Sequence, residues 1–270
     1  MGFCCPVCGG ELAFREHAAV CGAGHSYDLA RQGYVHLLPP NQMHAKIPGD
    51  SREMVQSRRS FLEKGYYGVF RDTLLELVRE GLGGVPHPTL LDAGCGEGYY
   101  TSVLPGVSPD AEVYGFDISK FAVKAAAGKY KGIRFAVASA FSIPMADGSC
   151  HCLTDVFAPI AEAEFLRVVR PGGLLVLAVP GERHLYGLKE ILYDEPYENE
   201  HRETDYPGFS FWKRVPVRDE IRVPDAETAM ELFQMTPYYW KTGVEGGKRL
   251  LETTGFSTEI AFDFILYRRK

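Results

Sequence analysis

From residue 89 onward, short apolar runs alternate with stretches whose apolar residues recur at helical spacing. The strand-like runs are Thr89 to Ala93, Glu112 to Phe116, Ile133 to Ala138, Cys152 to Phe157 and, most continuously apolar, Leu174 to Val179. Between them, Tyr99 to Leu104, Lys120 to Lys129 and Glu162 to Val169 carry the helical period. A strand buried on both faces reads as an unbroken apolar run, so this rhythm predicts parallel βα units covered by helices, an α/β protein.

The flanks read differently. Asp50 or Ser51 can cap a helix carrying Met54, Val55, Phe61 and Leu62, and Phe70 to Leu82 turns Leu74, Leu75, Leu77 and Val78 to one side before Gly83-Gly84 stops it. A turn-rich stretch from Pro39 to Asp50 precedes these helices. Residues 183 to about 240 are charged and aromatic with no clean period and read as an insertion over the active face. The chain closes with a helix, Val244 to Glu252, and two strand candidates, Ser257 to Ile260 and Phe262 to Tyr267. Residues 1–38 hold four of the seven cysteines and little periodicity, too little for a self-sufficient hydrophobic core. The expected organisation is a small cysteine-rich module at 1–38, a linker with helices at 39–85, and a main domain at 86–270 that contains the insertion.

Composition changes this picture in two ways. No apolar run approaches the roughly 20 residues needed to span a bilayer, and Met1-Gly2-Phe3-Cys4-Cys5-Pro6 has neither the basic nor the apolar part of a signal peptide. A cytoplasmic protein with no membrane partner is expected, and its cysteines are then not a disulfide framework. The formal net charge of −6 disfavours a generic nucleic-acid binder, so any RNA contact must come from a local patch or a shaped pocket.

The cysteines point to metal. Cys5-Pro6-Val7-Cys8 brings two thiolates to one ion, and Cys21 and His25 form a second pair after a twelve-residue loop. Four such ligands suit a closed tetrahedral zinc site, whose ion helps fold a module this small. Cys4 and His17 are competing ligands. Cys95, Cys150 and Cys152 read as buried small residues.

The glycines point to a cofactor. Leu90-Leu91-Asp92-Ala93-Gly94-Cys95-Gly96-Glu97-Gly98-Tyr99-Tyr100-Thr101 is a strand entering a glycine-rich turn that opens a helix. Such a turn lets backbone approach a ligand with no side chain between. Asp117 follows the next strand, 23 residues after Gly94, where a carboxylate can accept from ribose hydroxyls. Ser139 follows the third strand, where a loop can line an adenine pocket, and Arg170-Pro171-Gly172-Gly173 precedes the strand at Leu174. Together these features resemble class I methyltransferases, a Rossmann-like fold with a mixed seven-stranded sheet flanked by helices. The resemblance implies S-adenosylmethionine as methyl donor, with Tyr67, Tyr99 and Tyr100 as aromatic neighbours of its sulfonium.

A narrower resemblance spans nearly the whole chain. Cys5-Pro6-x-Cys8, Cys21-x3-His25, Tyr27-Asp28, Gly33-Tyr34-Val35 and Leu37-Leu38-Pro39 look like the N-terminus of the 23S ribosomal RNA (guanine-N1)-methyltransferase family. Pro48-Gly49-Asp50-Ser51, Gly65-x-Tyr67, Pro180-Gly181-x-Arg183-His184-Leu185 and Gln234-Met235-Thr236-Pro237 extend the likeness. It implies methyl transfer to N1 of a guanine in a domain II hairpin of 23S ribosomal RNA, with the zinc module assisting recognition. Carried over, zinc falls on Cys5, Cys8, Cys21 and His25, and cofactor contacts fall on Tyr67, the Gly94-to-Tyr100 turn with Asp92 before it, Asp117 and His184.

Guanine N1 carries a proton, so the enzyme must help remove it or stabilise charge at O6. Asp155 and His184 are the base candidates, with His184 also readable as a positioning residue. Arg183 is a candidate partner for O6 or a phosphate. Phe157, Tyr238, Tyr239 and Trp240 could sandwich an extruded base, and Arg31, Arg52, Arg58 and Arg59 could meet phosphates. A small-molecule methyltransferase with a zinc lid, and a silent cofactor- and zinc-binding module, fit the same motifs. Oligomeric state stays open, a homodimer being one option.

Overall fold

The computed structural model describes residues 2–43, 48–200 and 205–270. Ile47 of the turn-rich stretch and residues 201–204 of the expected insertion lie outside the described residues. The chain runs β1 (Leu12–Phe14), β2 (Ala18–Cys21), β3 (Ser26–Asp28), β4 (Val35–His36), α1 (Arg52–Glu63) and α2 (Gly68–Leu82). It continues through β5 (Thr89–Ala93), β6 (Glu112–Asp117), α3 (Lys120–Lys129), β7 (Arg134–Val137), β8 (Cys150–Val156) and α4 (Glu162–Val168). Then come β9 (Val169–Pro180), α5 (Tyr186–Leu192), β10 (Phe209–Val223), α6 (Ala226–Gln234), α7 (Tyr238–Lys241), α8 (Val244–Leu251) and β11 (Phe256–Arg269).

Strands β1, β2 and β3 form a small antiparallel ribbon, and the other eight form one sheet in the order β10-β11-β9-β8-β5-β6-β7-β4. β4 to β9 run parallel, while β11 is antiparallel to both β9 and β10. The order reverses between β5 and β8, the switch point beyond whose strand ends ligands bind in open α/β sheets. The mixed sheet thus has eight strands rather than seven. The eighth, β4, comes from residues read as part of the N-terminal module. Val35 and Leu37 are apolar alternates buried in the main core, and the Leu37 N–H donates to the Val137 carbonyl at 2.9 Å.

Three elements differ from their sequence patterns. Residues 183–240, expected as an insertion without a clean period, hold α5, β10, α6 and most of α7, and β10 pairs with β11 from Phe209 to Val223 with a bulge at Trp212. Six charged residues between Lys213 and Arg222 hide the alternation of Val215, Val217, Ile221 and Val223, because this strand lies at the sheet edge. Pro216 fits there, since an edge strand can spare one N–H. The two C-terminal strand candidates are one continuous strand, β11. Beyond the glycine turn, Thr101–Val107 forms a 3₁₀ segment instead of an α-helix, with Pro105 inside it removing a donor.

The helix boundaries have local causes. Ser51 caps α1, its Oγ accepting from the Met54 N–H at 3.3 Å, and Gly83 ends α2 with φ +54°. α2 lies close against β9, where a methyl on Gly81 would sit 2.4 Å from Leu174 Cδ2. Phe70 of α2 stacks on Phe262 of β11 with ring centroids 3.7 Å apart. On the other sheet face, Phe3 packs edge-on to Tyr114 and tethers the ribbon to the domain core. No helix among the described residues is long and apolar enough to cross a membrane.

Candidate functional site

Two glycine-framed turns bring the ribbon's ligands together. The Gly9 N–H donates to the Cys5 carbonyl at 2.8 Å and the Gly24 N–H to the Cys21 carbonyl at 2.9 Å, each glycine with positive φ. His25 Nδ1 then lies 3.5 Å from Cys5 Sγ and 3.4 Å from Cys21 Sγ, and Cys8 Sγ lies 3.6 Å from Cys21 Sγ. All four ligand atoms fall within 4.8 Å of one another. Tetrahedral zinc with bonds of about 2.3 Å to sulfur and about 2.0 Å to nitrogen requires separations of about 3.5–3.8 Å. The set fits zinc.

The competing ligands are placed elsewhere. The Cys4 thiol faces the Gly2 carbonyl, and His17 is 88% exposed beside Glu16. One group went unread in the sequence: the Tyr27 hydroxyl sits 3.0 Å from Cys5 Sγ. Burial opposes the Cys5 thiolate, but the Tyr27 hydroxyl and the knuckle's backbone amides outweigh it and bring the thiol down to about 6. A hydroxyl donated to a ligand sulfur orients and supports that ligand.

At the switch point lies a cavity of about 730 Å³, within the range of small-ligand sites. The Gly94 and Cys95 N–H groups both donate to the Phe116 carbonyl at 2.9 Å, folding the turn over the end of β6. Gly94 and Gly96 have φ of +73° and +55°, and a Cβ on Gly96 would meet nothing nearer than the Arg58 guanidinium at 3.9 Å. That backbone lies open to a ligand.

Asp117 accepts from the Gly96 N–H at 3.1 Å and the Ser119 N–H at 2.7 Å, leaving lone pairs toward the cavity. Burial raises its carboxyl above the ordinary range against those two amides. Tyr67, Cys95, Tyr100, Ser139 and His184 also line the cavity. Three residues read as cofactor contacts do not. Asp92 lies behind the turn, accepting from Thr101 at 2.5 Å and Thr154 at 2.8 Å, and burial raises it to about 6 despite both hydroxyls. Gly98 lacks a Cβ because Tyr130 and Ala126 of the α3 side occupy that space. Tyr99 is turned under Arg71, whose guanidinium lies 5.4 Å from its ring centre.

His184 does not have the features of a base. Its Nδ1 accepts the Ala261 N–H at 3.1 Å, so the neutral ring carries its proton on Nε2, 3.5 Å from the Tyr67 hydroxyl. Burial, then the nearby Lys189 and Arg218 cations, push it down to about 3. Asp155 is different. Its Oδ1 accepts the Ala158 N–H at 3.2 Å, whereas Oδ2 is buried with no partner among the described residues. The Tyr100 hydroxyl is likewise buried without one. Burial lifts Asp155 to about 8 against the Ala158 amide, with Asp92 adding to the rise. Orphaned polar atoms facing a cavity, beside glycines open to it, fit a polar ligand such as S-adenosylmethionine.

The cavity has a roof that the glycine motif did not foretell. Gly49, Asp50 and Arg58 come from one side and Met235 to Pro237 from the other. Arg58 pairs with Asp50 and donates to the Met235 carbonyl at 3.3 Å. Ser60 of α1 and Lys64, the residue after its end, both bind Glu231 of α6 at 2.5 Å. The motifs Pro48-Gly49-Asp50-Ser51 and Gln234-Met235-Thr236-Pro237 form the two rims of this roof, which explains their turn-forming residues. Arg58 and Arg59 therefore answer acids of this chain, Asp50 and Glu63, rather than standing free for phosphate. Arg183 does the same with Glu198 and Glu259 and lies outside the cavity lining. Arg52 lies over Phe121 and Arg31 is exposed on the segment after the ribbon. At the mouth stand exposed aromatics: Trp240 at 70%, Phe141 at 69% and Phe157 at 44%. Tyr238 is buried in the lining, and Tyr239 packs edge-on against Phe233 and Trp240.

A mostly parallel mixed sheet with a ligand turn at its switch point, joined to a Cys3His ribbon, defines a methyltransferase domain carrying a zinc ribbon. Family models agree: residues 3–46 match the zinc ribbon described as RlmA, N-terminal, and residues 86–212 match a methyltransferase domain. The methyl donor of this domain is S-adenosylmethionine, and the metal of the ribbon is zinc. A Micromonospora griseorubida protein provisionally named a 23S rRNA (guanine-N(1)-)-methyltransferase is 38% identical over 205 residues, covering 70% of this chain and 68% of that one. The 23S rRNA (guanine(748)-N(1))-methyltransferase of Streptomyces fradiae is 33% identical over 189 residues, covering 70% of this chain and 66% of its own length. A Bacillus subtilis protein provisionally given the guanine-N(1) methyltransferase name is 27% identical across 98% of this chain and 96% of its own. The chain belongs to the 23S rRNA (guanine-N1)-methyltransferase family.

Proposed function

We propose that this enzyme transfers the methyl group of S-adenosylmethionine to N1 of a guanine in a hairpin of 23S ribosomal RNA. The observation that carries this reading is one cavity lined both by the glycine turn with Asp117 and by exposed aromatic rings at its mouth. The relatives' names supply the acceptor class. The cofactor's sulfonium makes its methyl electrophilic, and the protein's share is to orient the acceptor and handle its proton. Gly94, Cys95, Gly96, Tyr100, Asp117 and Ser139 hold the nucleoside side of the cofactor. Tyr67, its hydroxyl oriented by the Nε2–H of His184, holds the other end.

An acceptor guanine must leave its stack to enter such a cavity, and rings like Trp240 and Phe141 can replace the stacking it loses. The acidic chain then recognises RNA by shape and stacking more than by bulk charge, which suits a folded hairpin with splayed bases. The ribbon, held to the domain core through Phe3, extends the surface that meets the RNA backbone. Incubating the protein with labelled S-adenosylmethionine and ribosomal RNA, then separating the nucleosides by mass, tests the reading. Label in 1-methylguanosine is expected. Label in another nucleoside, or turnover of a small acceptor with none in RNA, overturns it.

A further inference from the structure

At the end of β8, Asp155 belongs to the cavity lining, and one of its two carboxylate oxygens has no hydrogen-bond partner among the described residues. Asp155 pairs in register with Ala93, the residue immediately before the cofactor turn. The turn it caps is packed on that loop so tightly that a Cβ on Gly94 would lie 2.3 Å from Ala158 Cβ. The acid and the cofactor turn are therefore two faces of one contact.

Asp155 Oδ1 is fixed by the Ala158 N–H, which sets the plane of the carboxyl and leaves Oδ2 buried in the cavity wall without a partner among the described residues. Beside it, Phe157 holds a left-handed backbone with φ +57°, a strained state for a bulky residue. That strain turns its ring out over the cavity, against His184 and Phe262. A flat, edge-functionalised ligand finds a stacking face and a hydrogen-bond acceptor side by side.

We propose that Asp155 Oδ2 accepts the proton from guanine N1 as the methyl group arrives, with the base lying against Phe157. The inference rests on the reading of guanine N1 as the acceptor. The N1 lone pair forms the new N–C bond, the S–C bond breaks with its pair going to sulfur, and the N1 proton passes to the carboxylate. Sulfonium and carboxylate thereby become neutral thioether and neutral acid, and the methylated base stays neutral. No other group in the cavity takes this role as well. His184 carries its proton on Nε2, Asp117 already binds two amides, Glu97 is held by its own turn's amides and faces Arg58, Asp50 pairs with Arg58, and Tyr100 is a buried neutral phenol.

The acid's proton affinity suits the task, since burial lifts Asp155 to about 8, closer to a weakly acidic N–H than an ordinary carboxylate. The charged or titratable groups around it are Asp92 on β5 and, in the lining of the same cavity, the Asp50–Arg58 pair, Glu97, Asp117, the Cys95 thiol, neutral His184 and the phenols of Tyr67, Tyr100 and Tyr238.

The test is Asp155→Asn, which keeps the shape and can still accept from Ala158. Single-turnover methyl transfer to 23S ribosomal RNA is expected to fall about 10²- to 10⁴-fold, with S-adenosylhomocysteine and RNA binding unchanged. Wild-type rate should rise with pH and level off above about 8, while the variant's residual rate keeps rising as solvent hydroxide takes the proton. A readout free of catalysis is carbon-13 spectroscopy of aspartate-labelled protein. One carboxyl resonance, absent from the variant, should titrate near pH 8. Full-rate transfer by the variant, or a resonance titrating as an ordinary carboxylate, overturns the proposal. Loss of S-adenosylhomocysteine binding would make Asp155 a cofactor-positioning residue instead. Wild-type protein that makes no 1-methylguanosine, with the same titration, would overturn the acceptor and this role together.

Discussion

A single methyl group at Gly94 should report how closely the cofactor turn is packed on the acid-bearing turn. Gly94→Ala places an L residue at φ +73° and drives its Cβ to 2.3 Å from Ala158 Cβ. Gly132→Ala is the control: its φ is +87°, and a Cβ there meets nothing within 4 Å. Left-handed backbone costs each alanine about 1–2 kcal/mol. Only Gly94→Ala also overpacks. Ordinary contact begins at 3.4 Å, so Ala158 must recede by about 1 Å, and overpacking of this kind costs about 1–3 kcal/mol more. At about 2–4 °C per kcal/mol for a chain of this size, Gly94→Ala should melt about 2–12 °C below Gly132→Ala. The displaced turn carries Asp155, and the shifted glycine turn lines the cavity. Calorimetric titration with S-adenosylhomocysteine should therefore show weakened binding for Gly94→Ala alone. Equal melting temperatures and equal affinities would refute the packing argument.

Cys21→Ser should release zinc and unfold the ribbon, whereas Tyr27→Phe should keep zinc but bind it about 10- to 100-fold more weakly; competition with a chromophoric chelator reads both. Trp240→Ala should raise the KM for RNA about 5- to 150-fold through lost stacking, leaving S-adenosylhomocysteine affinity unchanged by calorimetry. Two of the contributions to the pH dependence of melting oppose each other. His184 falls from 6.5 in the unfolded chain to about 3 in the fold, so it leaves stability intact above 6.5 and drains it as pH falls toward 3; His184→Asn should lose less stability over that window. Asp155 rises from 3.8 to about 8, so it erodes stability as pH climbs between those values; Asp155→Asn should melt above wild type beyond pH 8 and level with it below 3.8.

The legible parts of the fold were those where one pattern dominates. The buried parallel strands read as apolar runs because both faces are covered, and β9 is the clearest case. β10 was hidden because an edge strand with water on one side intersperses arginines and acids among its valines. The zinc ligands were legible from spacing alone, since two short pairs can only converge if the intervening hairpin closes. Tyr27 was not, because a second partner of a ligand sulfur has no spacing rule. In the cavity, the residues that touch ligand space and those that hold the turn from behind share one motif. Gly94 and Gly96 line the cavity while Asp92 and Gly98 serve packing, a division set by how the turn beyond β5 folds and not by strand alternation, which would place all four on one face. The roof over the cavity joins residues more than 170 positions apart, such as Ser60 and Glu231, and no local pattern encodes such a meeting.

Methylation of N1 removes the hydrogen that guanine uses in Watson–Crick pairing, so a reverse transcriptase stops at the modified base. The most direct test is primer extension along unmodified 23S ribosomal RNA after incubation with this enzyme and S-adenosylmethionine. A single cofactor-dependent stop at a guanine of one hairpin, lost with Cys21→Ser and with Asp155→Asn, is the predicted result. Full-length extension from an enzyme that binds S-adenosylhomocysteine and zinc would contradict ribosomal RNA as its substrate.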